Sequence, residues 1–232
     1  MRRHVWIQVI VLSLLWATTL IGQAPRKEAG PPMPFVPLRE PHFVPAAQAE
    51  FHKSEDRVVG VSENGVSKAY QPSVLAFHHV VQDILKDMPI IATWCSLCNT
   101  PLVYKSVVDG RKLSFERAGN RGNNFFMLDT ETGSHWQQIG GDCFEGPLKG
   151  KRLTLLPFLY TTWGEWRAQH SDTLVLVPEA AYKAGYDAMA GRVSAVPYGS
   201  NKKPDRDLVR EQDTRLPNYE QVIGIELSLI HI

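Results

Sequence analysis

Hydrophobic and polar positions change places in short blocks along much of this 232-residue chain. Val58-Val59-Gly60-Val61 and Lys68-Ala69-Tyr70 flank Glu63-Asn64-Gly65. Asn-Gly between β-branched runs predicts a hairpin. Val74, Phe77, Val80, Val81, Ile84 and Leu85 recur at helical spacing, so a helix is expected over residues 72–87. Pro89 through Trp94 is a short apolar run expected as a strand. Leu102–Val108 and Lys112–Arg117 alternate around Asp109-Gly110 and predict a second hairpin. Further strands are expected at Asn124–Asp129, around His135-Trp136, at Arg152–Leu156 and at Thr173–Val177. Thr161 or Thr162 can cap a short helix running to His170. Many short strands with two short helices predict a β-rich α+β fold of antiparallel strands and hairpins.

The ends of the chain follow other patterns. Met1-Arg2-Arg3-His4 precedes an uncharged run from Val5 to Gly22, with small residues at Gly22 and Ala24. A basic start followed by an apolar stretch is an export signal, so residues 1–24 are expected to be a signal peptide or an N-terminal anchor. Residues 25–56 carry seven prolines, which exclude a helix or a central strand and predict an extended tether. Residues 57–178 are then the core domain, and 179–218 read as a loop-rich extension. Val222-Ile223-Gly224-Ile225-Glu226 echoes Val58-Val59-Gly60-Val61-Ser62, so 219–226 are expected to open a truncated second repeat. Leu227–Ile232 back-translates as CTG TCT CTT ATA CAC ATC, the mosaic end of transposon-based sequencing libraries, and is expected to be adapter read-through.

Composition narrows the class. At 44% hydrophobic and 21% charged, the chain is neither disordered nor fibrous. The formal net charge of +1 carries no basic field for nucleic acid. Loss of Arg2 and Arg3 with a signal would leave 23 basic against 24 acidic residues, a net charge of −1. The expected setting is periplasmic or extracellular, with membrane contact only through the N-terminal segment if it is uncleaved. Three cysteines are too few for a disulfide-stapled scaffold.

Candidate chemistry sits in Thr93-Trp94-Cys95-Ser96-Leu97-Cys98-Asn99-Thr100. A Cys-x-x-Cys pair puts two thiols within reach of one metal ion or of each other. A thioredoxin-like arrangement needs a helix after the first cysteine, whereas Pro101-Leu102-Val103-Tyr104 reads as a strand. Three readings stay open. A metal knuckle, with zinc or copper favoured by thiolate–imidazole ligation, would draw further ligands from His78, with His79, His135 and Cys143 as weaker candidates. His78 and His79 are about 100° apart on a helix, so one of them would face the site. Asp83 could orient His79 from the next helical turn. A redox-active thiol–disulfide pair would use Cys95 and Cys98 as its working groups. A non-catalytic module would carry an inert disulfide and, if exposed, a groove lined by Trp136, Trp163 and Trp166; core packing is the plainer expectation for these rings. The partner would be a small molecule or a protein.

Several segments together resemble the exported bacterial "domain of unknown function 3179" family. They are Lys68-Ala69-Tyr70, Phe77-His78, Val81-Gln82-Asp83, the cysteine turn, Asp129-Thr130-Glu131-Thr132-Gly133-Ser134 and Gly146-Pro147-Leu148, within Val58–Val177. The resemblance implies an extracytoplasmic protein with Cys95, Cys98 and His78 as its transferable residues, and it supplies no activity. The chain departs from the family pattern at His79, where an acid is usual, at Gln82, and at Ser96 and Asn99, where proline and glycine are common. The sequence thus predicts an extracytoplasmic protein with a Cys-x-x-Cys/His centre, metal binding as the leading expectation and thiol–disulfide exchange as its rival.

Overall fold

The computed structural model describes residues 35–194. The expected signal, the start of the tether, the second repeat and the adapter segment lie outside the described residues. The strands are β1 (Phe43–Pro45), β2 (Arg57–Glu63) and β3 (Val66–Tyr70), followed by helix α1 (Pro72–His78). Then come β4 (Val80–Leu85), β5 (Met88–Cys95), β6 (Thr100–Lys105), β7 (Val107–Val108), β8 (Arg111–Lys112), β9 (Phe115–Arg121) and β10 (Asn124–Asp129). β11 (His135–Gln137), β12 (Cys143–Glu145), β13 (Leu159–Thr162), α2 (Trp163–Gln169), β14 (Leu174–Leu176) and α3 (Lys183–Ser194) complete the order. The fold is α+β and rich in strands.

Four sheets form. The order β1-β14-β3-β2-β13 makes the largest, β12-β11-β10-β9 the second, β4-β5-β6 the third, and β7-β8 a two-stranded ribbon. All pairings are antiparallel except β14 with β3. The β2–β3 turn is the expected one: Asn64 and Gly65 take φ of 53° and 77°, and both residue types accept positive φ. Part of the proline-rich stretch joins the fold. β1 sits at a sheet edge, where Pro45 costs no ladder bond, and Leu38 is buried against Val81.

Three further expectations change. The helix stops at His78 rather than running to residue 87. His79 caps it with φ of 63°, and Val80–Leu85 extends into β4, which turns through Lys86 (φ 58°) to pair with β5. The β-branched residues that fitted the helical spacing also suit a strand with a buried face. Asp83 therefore does not lie one turn from His79. It accepts two 2.8 Å bonds from Lys68 Nζ and one of 2.7 Å from the Tyr70 hydroxyl, tying β3 to β4. Second, Tyr182–Tyr186 is not loop: Lys183–Ser194 is a helix, and it packs on α1. Arg152–Leu156 contributes isolated bridges instead of a strand.

β5 runs between two cores. Ile90, Ala92 and Trp94 face the core shared with α1 and α3. Ile91 and Cys95 face the core built from Phe115, Phe125, Met127 and Trp136. A strand apolar on both faces loses the usual alternation and reads as a continuous run. Its period of two still places Thr93 and Cys95 on one side.

Candidate functional site: a buried dithiol turn

Cys95 is the last residue of β5 and pairs with Thr100, the first of β6. Ser96, Leu97, Cys98 and Asn99 make the turn between them. Asn99 closes it with φ of 50°, the role that glycine commonly takes, and asparagine tolerates this region. The Ser96 hydroxyl donates to the Ala76 carbonyl of α1 (3.3 Å), which fixes the turn against the helix. Cys95 is fully buried, Cys98 is half-buried, and both are free thiols.

The two sulfurs are electrostatically unlike. The Cys98 thiol donates to Cys95 Sγ, and backbone N–H groups of Cys98, Phe125 and Leu97 converge on the same sulfur. These donors outweigh burial and hold Cys95 below the ordinary thiol range, at about 6. Giving its proton to Cys95, and burial, push Cys98 far up. One proton is thus shared across the pair, with the negative charge on the inner sulfur.

The histidines stand elsewhere in the network. Nδ1 of His78 meets the Val36 carbonyl at 2.6 Å, so that nitrogen carries the proton. Its Nε2 accepts from the Tyr186 hydroxyl at 2.8 Å. Both ring nitrogens are engaged, and burial lowers its pKa. The buried His79 ring stacks edge-on between Phe35 (4.4 Å) and Phe125 (5.2 Å). Burial, then the Arg117 charge, press its pKa down to about 4. His135 pairs with Glu145 (3.3 Å) on β11–β12, and the Cys143 thiol donates to the Glu145 carbonyl (3.3 Å). Among the described residues, no three His, Cys, Asp or Glu side chains come together as a metal site would require. The structure brings Cys95 and Cys98 together and gives His78, His135 and Cys143 other partners.

A model for a protein family of unknown function, DUF3179, matches residues 33–231. The chain belongs to this family. Neither a curated protein nor a solved structure matches it.

In this DUF3179 protein the sequence pointed to the cysteines and missed what surrounds them. Asn124, at the start of β10, donates to Cys98 Sγ at 3.4 Å and to Gln138 Oε1 at 2.7 Å. Gln138 is fully buried and donates to Thr93 Oγ1 at 3.0 Å. A polar residue beside Phe125-Phe126 looks like a strand's solvent-facing position, so pattern alone does not mark Asn124. Trp136, Trp163 and Trp166 are all buried, as core packing requires: Trp136 Nε1 donates to Asp129 (2.7 Å) and Trp166 Nε1 to Thr173 (3.0 Å). Two surface clefts of about 500 and 450 Å³ lie beside His78 and along α3, and Cys95 and Cys98 line neither.

Proposed function

We propose that this DUF3179 protein is a thiol–disulfide exchange protein whose Cys95–Cys98 pair, as a disulfide, oxidises thiols of a partner molecule. The observation that supports this is the convergence of three backbone N–H groups and one thiol on Cys95 Sγ. Stabilising the thiolate stabilises the reduced form, and a couple with a stabilised reduced form is oxidising. A low-pKa thiolate is also the better leaving group.

The unequal burial of the two cysteines supports one order of events. A partner thiolate attacks Cys98 Sγ, which belongs to the less buried of the two residues, and forms a mixed disulfide. The Cys95–Cys98 bond breaks, and its electron pair leaves on Cys95 Sγ, where the N–H groups receive it. A second partner thiol then attacks the partner sulfur and releases Cys98, which takes up a proton and shares it with Cys95. Two thiols become one disulfide, the pair accepts two electrons, and one of the two protons goes to solvent. The basic and apolar N-terminal segment supports an exported setting, where such a couple meets oxidants.

Equilibration against glutathione buffers, read by mass change, tests the reading. A reversible two-electron couple, with Cys98→Ser unable to form the mixed disulfide and Cys95→Ser trapping it, is the expected result. A pair that stays reduced in oxidised glutathione overturns it.

The same two sulfurs support a second reading, as a seat for a thiophilic ion. Copper(I) suits a two-thiolate site better than zinc, whose tetrahedral sites call for more ligands. Stoichiometric metal in protein purified without chelator, with both thiols protected from alkylation, would favour this reading over exchange.

A further inference from the structure

Behind the thiols lies a chain of hydrogen bonds in which each amide is locked in one orientation. The Ile139 backbone N–H donates to Asn124 Oδ1 at 3.0 Å, and Gln137 Nε2 donates to the same oxygen at 2.7 Å. A backbone N–H can only donate, so this oxygen cannot exchange places with Nδ2. Nδ2 must therefore face Cys98 Sγ and Gln138 Oε1. Gln138 is locked by the opposite argument. Its Nε2 points to the Thr100 carbonyl (3.4 Å), which can only accept, and to Thr93 Oγ1 (3.0 Å). The Thr93 hydroxyl spends its own proton on the Leu102 carbonyl (2.9 Å), so it accepts from Gln138. The Gln138 backbone is pinned as well, its carbonyl by the Tyr104 hydroxyl (2.8 Å) and its N–H by the Phe125 carbonyl (3.2 Å). Asn124, Gln138 and Thr93 are all buried, so water is a poor substitute for any of these bonds.

We propose that Asn124 is a positioning residue that orients the dithiol: its fixed Nδ2 donor makes Cys98 Sγ an acceptor, turns the Cys98 S–H towards Cys95, and so holds the shared proton of the reduced pair between the two sulfurs. This rests on the exchange reading and adds the device that sets its direction. A sulfur that accepts from Asn124 becomes a stronger donor to Cys95. A disulfide sulfur is a weak acceptor, so the Asn124 bond favours the reduced state over the oxidised one. Gln138 and Thr93 hold the donor in place across two strands.

Asn124→Asp tests this with nearly the same shape, replacing the donor by an acceptor. The reduction potential is measured together with the pH profile of alkylation at each cysteine. The variant should lose about tenfold in the equilibrium constant for reduction, a potential about 30 mV more negative. Its alkylation profile at Cys95 should move to higher pH by about one unit for the same tenfold. Asn124→Ser, which restores a hydroxyl donor, should recover part of both changes. A structural role alone would lower stability and leave potential and profile in place. If the unaltered protein has a measurable potential and both variants match it, the orienting role is overturned and exchange stands. If the unaltered protein forms no reversible disulfide, the exchange reading falls, and the role of Asn124 with it. Should the variants not fold, nitrogen-edited NMR of the unaltered protein decides. The Asn124 side-chain amide should move between the oxidised and reduced forms while that of Asn64, in the β2–β3 turn, does not. An unmoved Asn124 amide overturns the proposal.

Discussion

His79 stands where a helix ends and a strand begins, at a φ of 63° that few side chains accept. Its N–H closes α1 on the Leu75 carbonyl (2.8 Å), and its carbonyl accepts from Trp94 (3.2 Å) in β5. The residue thereby joins α1 to the strand that carries Cys95. Its ring is neutral in the native state down to about pH 4, whereas an unfolded histidine takes up its proton near 6.5. Between those values the unfolded chain binds more protons, so stability is lost as pH falls from 6.5 to 4. The loss at His79 amounts to about 3 kcal/mol. His52 and His78, also held low by burial, act in the same direction. Urea midpoints measured across this range should fall steadily towards acid. His79→Asn keeps a residue tolerant of positive φ and removes the titration, so its midpoint should fall less steeply with pH. A slope equal to that of the unaltered protein would refute the assignment.

Elements were legible in the sequence where one local rule decided them. Asn64-Gly65 supplied two residues able to take positive φ, and the hairpin followed. Thr161 or Thr162 offered a cap, and α2 followed with Thr162 as its cap; the structure adds Glu165, whose N–H donates to Thr162 Oγ1 (3.3 Å) while its carboxylate accepts from Thr162 N–H (3.2 Å). Legibility failed where tertiary partners chose between two patterns. Val80, Val81, Ile84 and Leu85 suit a helix by spacing and a strand by branching; pairing with β5 decided for the strand. The cysteine turn was legible because its two thiols are three residues apart. Asn124 reaches Cys98 across 26 residues of chain, and nothing in its own neighbourhood announces that contact. α3 escaped for a related reason, because its face is set by close approach to α1. A Cβ on Gly185 would lie 2.2 Å from Phe77 Cε2, far inside van der Waals contact with the ring edge. Phe77 is buried and cannot swing clear, so Gly185→Ala must push α3 away from α1. It should cost about 1–3 kcal/mol, as overpacking does, despite alanine's better helix propensity. A thermal midpoint equal to or above that of the unaltered protein would show that the helices do not pack this closely.

At the scale of the whole molecule, the inner thiol ties redox state to stability in a second pH window. Native Cys95 loses its proton at about 6, whereas an unfolded thiol does so near 9.0. Between these values the unfolded reduced chain binds more protons than the folded one, so stability rises with pH. The gain is present above the unfolded value and is lost as pH falls through the folded one. It approaches about 4 kcal/mol across the full interval. The disulfide form has no thiol to ionise and lacks this term, while both forms share the histidine losses between pH 6.5 and 4. The stability of the reduced protein minus that of the oxidised protein should therefore be flat in mild acid and rise from about pH 6 towards 9. Cys98 opposes the trend only above that range, since its native pKa is raised. Paired urea titrations of the two forms, at matched pH, measure the difference directly, and closing a four-residue loop adds only a constant to it. A difference that stays level from pH 6 to 9 would mean that the native fold does not stabilise the Cys95 thiolate. The oxidising character of the couple would then lose its physical basis, because the same donors that lower the thiol's pKa are what favour its release from the disulfide.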